Sequence, residues 1–254
     1  MQDKPQLTWI IGASSGIGAA LARELAQRGH PVTLSARNAD ALEHLHQQLP
    51  APAAGQPGHQ VQSLDVSQAD SLHKAQDQIL QSWPTIHRTI YLAADYQPMP
   101  LAELDLSAVH RILSINLLGA YHTLASLLPY LLQQPPGAQI AFCASVAGYR
   151  GLPNSQPYAA TKAGLINLAE SLDAEHGEHL DIKLINPGFV DTRLTAQNTF
   201  NMPGCISPAQ AACHIADGLN RRCFEIHFPG RLTYPMKLLR LLPHWLYTRI
   251  ARRL

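Results

Sequence analysis

Residues 7–18 read Leu7-Thr8-Trp9-Ile10-Ile11-Gly12-Ala13-Ser14-Ser15-Gly16-Ile17-Gly18, and the reading of the whole chain starts from them. Residues 7–11 form a short apolar run stopped by glycine, the pattern of a buried strand. Residues 16–28 place Ile17, Ala20, Leu21 and Leu25 on one helical face, and Gly29 closes that helix. A strand, a glycine-rich turn and a helix, in that order, make the context a phosphate loop needs. Gly12 allows a tight turn off the strand, Gly16 lets the backbone approach a diphosphate, and Gly18 lets the helix pack close to the sheet. Phosphates would sit among Ser14, Ser15, Gly16, Ile17 and Gly18, where free N–H groups and the helix dipole favour negative charge. The spacing is GxxxGxG, not GxGxxG, and no GK[ST] follows, so this is not a Walker loop. A turn that only eases a strand–helix junction is the plain alternative.

The alternation continues outward. Runs at 31–36, 61–64, 89–93, 139–143, 181–185 and 224–228 read as strands. Segments 39–49, 68–82, 107–132, 156–176 and 208–219 read as helices, and 50–59 as a loop. Short buried strands alternating with helices mean βαβ units and a parallel sheet. Right-handed crossovers put helices on both faces. The expected architecture is therefore α/β: a doubly wound, Rossmann-type, seven-stranded parallel sheet in one domain over 1–230, followed by an extension over 231–254.

Composition narrows the function classes. The 254 residues suffice for one sizeable core, and 46% hydrophobic with 15% charged residues is a globular composition. A formal net charge of +1 gives no sign of a nucleic-acid binder. Cys143, Cys205, Cys213 and Cys223 form no CxxC and no zinc spacing, so no metal site or disulfide framework is expected, and a reducing, cytoplasmic compartment is the simple reading. The first twelve residues lack the long apolar segment of a signal peptide, and no run reaches 18 apolar residues, so no spanning helix is expected.

The charge is unevenly spread. Residues 231–254 hold six Lys/Arg and no acid, whereas 1–230 carry a net −5. Within this tail Leu246, Ile250 and Leu254 repeat at four-residue steps beside Trp245 and Tyr247, with Arg249, Arg252 and Arg253 mainly elsewhere. Such a basic amphipathic helix suits a membrane surface, and equally suits packing on its own domain or a sister subunit.

The end of the second strand reads Leu34-Ser35-Ala36-Arg37-Asn38. An acid is the usual partner of a free ribose 2′-hydroxyl at this place. Ala36 offers no acceptor, while Arg37, with Ser14, Ser15 and Asn38 as further donors, suits a 2′-phosphate. NADP(H) is therefore favoured over NAD(H). Asp65 and Val66 follow the third strand on the crevice side, where Asp65 could accept from an adenine amino group. Helix capping there is better served by Ser67 and Asp70.

Tyr158 and Lys162 lie four apart on a predicted helix and share a face, and Ser145 ends the fifth strand. A phenol, an ammonium and a hydroxyl can thus meet beside a nucleotide bound at the strand ends. Hydride transfer to a carbonyl leaves negative charge on oxygen, which must take up a proton. Tyr158 can donate it, Lys162 would lower the phenol's pKa, and Ser145 can hold the carbonyl oxygen.

These residues together resemble the short-chain dehydrogenase/reductase family over roughly residues 7–228. GASSGIG matches its cofactor loop, and Ser145, Tyr158 and Lys162 match its S…YxxxK pattern. The resemblance implies that Asn116, in INLLG, is a fourth catalytic position that bends the long helix and holds a water linking Lys162 to solvent. It implies that Lys162 also binds the nicotinamide ribose. It further implies that Pro187, Gly188 and Val190 of NPGFVDT line the nicotinamide, that Thr192 binds its carboxamide or the diphosphate, and that Ala93 and Ala94 border the adenosine. A homodimer or homotetramer built on the 107–132 and 156–176 helices is implied as well. The chain departs from the family in two places: Ile11 stands for a usual Thr, and Leu92-Ala93-Ala94-Asp95 for NNAG.

The segment between Thr192 and Ser207 should cover the active site, with Leu194, Phe200, Met202 and Ile206 as apolar residues and Asn198 and Asn201 as polar exceptions. Tyr149, Leu152 and Pro153 are expected to add an apolar wall, and Tyr96 and Met99 to contribute from the other side. Arg150 and Arg193 are the only candidates for binding a substrate carboxylate. An apolar or lipid-like ketone, aldehyde or secondary alcohol is therefore expected. Three function classes stand: an NADP(H)-dependent oxidoreductase, its NAD(H)-dependent counterpart, and a catalytically weak nucleotide-binding, membrane-associated interaction protein.

Overall fold

Strand β1 (Thr8–Ile11) is buried on both faces, as only a central strand can be. Trp9 and Ile11 point into one hydrophobic core and Ile10 into another, so the sheet separates two cores. This architecture comes from a computed structural model that describes residues 6–52, 56–198 and 200–252. The other strands are β2 (Val32–Ala36), β3 (Gln60–Ser63), β4 (Arg88–Tyr91), β5 (Gln139–Cys143), β6 (Asp181–Pro187) and β7 (Glu225–Phe228). All pair in parallel in the order β3-β2-β1-β4-β5-β6-β7. The order reverses between β1 and β4, which opens a crevice at the carboxyl ends of those strands.

Helices α1 (Gly16–Gln27), α2 (Ala39–Gln47) and α7 (Pro208–Leu219) cover one face through Leu21, Leu25, Leu42 and Ile215. Helices α3 (Ala69–Ser82), α4 (Leu106–Leu113), α5 (Gly119–Leu131) and α6 (Tyr158–His176) form the other, with Leu72, Ile79, Leu127 and Leu165 inside. The expected doubly wound, seven-stranded sheet is therefore present. Gly29 (φ +83°) ends α1 in a Schellman turn, in which His30 N–H donates to Leu25 O and Gly29 N–H to Ala26 O.

The long helix expected over 107–132 is two α-helices joined by a π-turn at Ser114–Leu118. Leu106–Leu131 also has a mean hydropathy of 1.3, enough by length and composition to cross a membrane, against the expectation of no such helix. Half of that window is buried in this fold, where α5 packs on α3.

The tail forms α8 (Gly230–Leu241) and α9 (His244–Ala251). Both pack on the domain. Lys237 pairs with Glu225 of β7 at 2.7 Å, and the buried Tyr247 donates its hydroxyl to Gly151 O.

Candidate active site

The glycine turn is dictated by what surrounds it. Gly12 (φ +100°) and Gly16 (φ +55°) adopt left-handed backbone that side chains resist. A Cβ at Gly12 would also fall 2.5 Å from Ala93 N, and one at Gly18 would fall 2.1 Å from Gly12 O. Ser15 precedes α1 but its side chain caps nothing, so the N–H groups of Gly16, Ile17 and Gly18 remain unsatisfied at the helix start. These residues and Ser14 line a cleft of about 780 Å³. An uncapped helix terminus behind a turn that excludes every Cβ fits the diphosphate of a nicotinamide dinucleotide.

Ala36, Arg37 and Asn38 form the cleft's rim at the end of β2. Arg37 is exposed, and no hydrogen bond or ion pair engages its guanidinium among the described residues. Asn38 caps α2: its Oδ1 accepts from Ala41 N–H at 3.0 Å, which leaves its amide N–H groups unused. Val66, Ala93 and Ala94 line the cleft, as do Pro187, Gly188, Val190 and Thr192 after β6.

Asp65 does not line it. Its Oδ1 accepts from Ser67 N–H at 2.9 Å and Ser67 Oγ–H at 2.8 Å, so the carboxylate closes the turn into α3. The capping role assigned to Ser67 and Asp70 is thus shared by the residue expected to meet adenine. α3 itself starts at Ala69 without a side-chain cap.

Ser145, Tyr158 and Lys162 line the cleft together. Ser145 caps the short 3₁₀ turn Val146–Gly148, its Oγ accepting from Ala147 N–H at 3.1 Å, which leaves its own hydroxyl proton to face the Tyr158 phenol. Gly148 of that turn lies so close to α6 that a Cβ would come within 2.7 Å of the Lys162 carbonyl carbon. This contact brings the serine turn onto the first two turns of α6, where Tyr158 and Lys162 stand. Lys162 is 2% exposed, and Nζ donates to Cys143 O at 2.7 Å.

Electrostatics differ from the expectation that Lys162 depresses the tyrosine. Burial pushes the Tyr158 phenol above the ordinary range, and the Cys143 thiol and Tyr96 add to this, while the Ser145 hydroxyl works the other way. Burial likewise pushes Lys162 below the ordinary lysine range. Desolvation prevails because both groups sit against the apolar end of β5.

Asn116 lies in the π-turn, fully buried, and does not line the cleft. Its Oδ1 accepts from Asp95 N–H at 2.7 Å, and its Nδ2 donates to Asp95 O at 2.9 Å and Thr161 Oγ1 at 3.2 Å. The side chain thus clamps the loop after β4 to α6, and the bend in the helix is the π-turn itself. Asp95, standing where the family has glycine, pairs with Arg111 at 2.6 Å. Both line the cleft. That pair escaped the sequence reading because Arg111 looks like any solvated cation on a helix; nothing local links it to residue 95.

The substrate side is partly as expected. Leu194 lines the cleft, and Tyr96 packs edge-on against Tyr158 with ring centres 4.9 Å apart. The Tyr96 hydroxyl donates to Asn198 Oδ1 at 2.7 Å, tying the covering segment to the β4 loop. Asn198 Nδ2 contacts Met202 Sδ, and Met99 is buried against residues 155 and 156. Ile206 is buried beside Val190, and Phe200 is half exposed against Phe189.

Two expected contributors are employed elsewhere. Tyr149 is no wall: it is buried in the core and donates to Glu225 Oε1 at 2.5 Å. Arg150 cannot greet a carboxylate. Its Nη1 caps α8 by donating to Leu239, Arg240 and Leu242 carbonyls, and its guanidinium lies 4.0 Å over the Tyr247 ring. Arg193 does line the cleft. Among the described residues no group of His, Cys, Asp and Glu is arranged to hold a metal ion.

The chain has relatives among known proteins. The family described as short chain dehydrogenase matches residues 6–202. An uncharacterized oxidoreductase of Myxococcus xanthus is 32% identical over 96% of this chain and 96% of its own. The 11-beta-hydroxysteroid dehydrogenase A of Sesamum indicum is 30% identical over 76% of this chain and 54% of its own. An alcohol dehydrogenase of the archaeon Thermococcus sibiricus, solved in complex with 5-hydroxy-NADP, superposes with a TM-score of 0.78 at 26% identity, over 89% of this chain and 96% of that one. The protein belongs to the short chain dehydrogenase family of oxidoreductases.

Proposed function

We propose that the protein is an NADP(H)-dependent oxidoreductase that interconverts an apolar or lipid-like carbonyl compound and its alcohol, with Tyr158 as general acid and base. The observation that carries this reading is one cleft lined by both the Gly12–Gly18 turn and Ser145, Tyr158 and Lys162. A bound nicotinamide dinucleotide would supply or accept the hydride. Gly16, Ile17 and Gly18 N–H groups would hold its diphosphate, and Arg37 with Asn38 its 2′-phosphate.

The residues of the chain do the rest. Ser145, whose hydroxyl faces the Tyr158 phenol, donates its proton to the substrate oxygen when substrate is bound. Tyr158 gives that oxygen its proton in reduction and takes it back in oxidation. A raised phenol pKa keeps the proton on Tyr158 near neutral pH, the form that reduction needs. Lys162 holds its amine at a fixed place beside the phenol, 5.3 Å from the ring centre, where its protonated form would favour the phenolate. Leu194 and Val190, with Tyr96 behind Tyr158, favour an apolar substrate, in keeping with the steroid named for the sesame relative. Leu106, Leu113, Leu118 and Tyr121, exposed along α4, the π-turn and α5, support self-association through those helices.

The test is a turnover screen of apolar ketones, aldehydes and secondary alcohols with NADPH, NADH and their oxidised forms. Turnover with NADPH and apolar ketones supports the proposal. Cofactor binding without turnover across the whole panel would overturn it.

A further inference from the structure

The tail's inner face is committed to the domain, but its outer face is not. On α8, Tyr234, Leu238 and Leu241 recur at steps of four and three, so they share one face. They are 65%, 64% and 79% exposed, and Trp245 in the first turn of α9 is 68% exposed. Away from the stripe α8 carries the buried Thr233 and Met236 packed on the core, and on the stripe's flank Lys237 is paired with Glu225. α9 is pinned by Tyr247 to Gly151 and by Arg150 stacked on Tyr247. The apolar stripe is therefore held out in solvent by a well-anchored scaffold.

The tail's own charges have one sign, although Lys237 and Arg240 are paired with Glu225 of β7 and Glu170 of α6. No acid occurs between Phe228 and the end of the sequence. Arg231, Arg249 and Arg252 are exposed and form no ion pair among the described residues. A face that combines aliphatic residues, a tryptophan, a tyrosine and unpaired guanidiniums matches the boundary of an anionic bilayer, where apolar groups enter the acyl region and arginines meet headgroup phosphates. A neutral protein partner would leave those cations uncompensated.

We propose that α8 and the first turn of α9 form a docking face for an anionic lipid surface, with Tyr234, Leu238, Leu241 and Trp245 as the inserting residues. The face adjoins the cleft. Leu232, in the first turn of α8, packs so close to Gly188 of the cleft wall that a Cβ there would fall 2.6 Å from it. Docking would thus bring the nicotinamide end of the cleft next to the bilayer, where a lipid-borne substrate resides.

The full chain is tested by co-sedimentation with vesicles of phosphatidylcholine alone and with about one quarter phosphatidylserine, at low and high salt. Tryptophan emission gives a second readout, because Trp9 and Trp83 are 0% and 6% exposed and Trp245 is the one tryptophan in contact with water. The proposal expects binding roughly tenfold stronger to the anionic vesicles, weakened by salt, with a blue shift of emission. Leu238→Glu/Leu241→Glu should abolish both signals, and Arg249→Glu/Arg252→Glu should abolish the preference for phosphatidylserine. These side chains are exposed, so unchanged thermal melting checks the fold. Equal binding to both vesicle types, no binding to either, or variants that bind like the wild type would overturn the proposal. So would a blue shift on concentrating the protein alone, with a doubled mass, since the face would then belong to a second copy of the chain. Neither readout involves turnover, so the result stands apart from the proposed reaction.

Discussion

Lys162 Nζ donates to the Cys143 carbonyl at 2.7 Å, while the centre of the Tyr158 ring lies 5.3 Å away. The end of β5 therefore fixes the ammonium, and the phenol is left without a direct hydrogen bond from it. Burial opposes the charge on that amine, and the Cys143 carbonyl holds it in place.

Lys162→Met is expected to lower turnover roughly 100-fold or more by removing the charge beside Tyr158. Lys162→Arg should not restore it, because a planar guanidinium does not fit the buried space that an ammonium fills. Steady-state rates at saturating cofactor check both variants.

Cofactor choice should be set at the end of β2. Arg37→Ala is expected to weaken NADPH roughly 10- to 100-fold and leave NADH nearly unchanged, the range for losing a charge-assisted hydrogen bond to phosphate. Adding Ala36→Asp should then reverse the preference. Titration of both cofactors by nicotinamide fluorescence decides it.

Asn116 should matter for stability as well as activity. Its three hydrogen bonds satisfy both backbone groups of Asp95 and reach Thr161. Asn116→Ala strands those groups and should cost about 2–4 kcal/mol, seen as a lower urea midpoint.

Glu225 gives a pH signature. Burial alone would push its carboxyl up, but Lys237, Tyr149 and Asn186 outweigh burial and hold it below the ordinary range. The folded pKa is thus lower than the unfolded one, so the stabilisation is complete above about pH 4.5 and lost as pH falls through the folded value. The wild type should exceed Glu225→Gln in stability by about 1 kcal/mol near pH 6, after allowance for solvent screening, and the gap should close in acid. Urea titrations across that range check the sign.

The fold was legible because the central strands are short runs with buried apolar residues and most helices keep an apolar face, so β1, α1 and the Gly12–Gly18 turn could be placed within a residue or two; the edge strand β3, Gln60-Val61-Gln62-Ser63, carries the weakest such signal. The π-turn at Ser114–Leu118 was not, since its residues continue the helical pattern of α4 and α5 and only the packing of Asn116 against Asp95 distinguishes them. Asp65 was ambiguous because a carboxylate at a strand end serves a ligand or a turn equally well; in this structure its Oδ1 serves the turn, through Ser67 two residues on. Tyr149 and Arg150 misled for a different reason. Their partners, Glu225 and the end of α8, lie 76 and about 90 residues away, and no periodicity carries such information.

The central claim is that Tyr158 moves the proton while the glycine turn independently holds the cofactor. Its most direct test measures Tyr158→Phe beside the wild type, by NADPH binding and by single-turnover reduction of a ketone that the wild type accepts. The account predicts NADPH affinity within about threefold of the wild type and a rate lower by roughly 10³. A variant that reduces the ketone at the wild-type rate would contradict it.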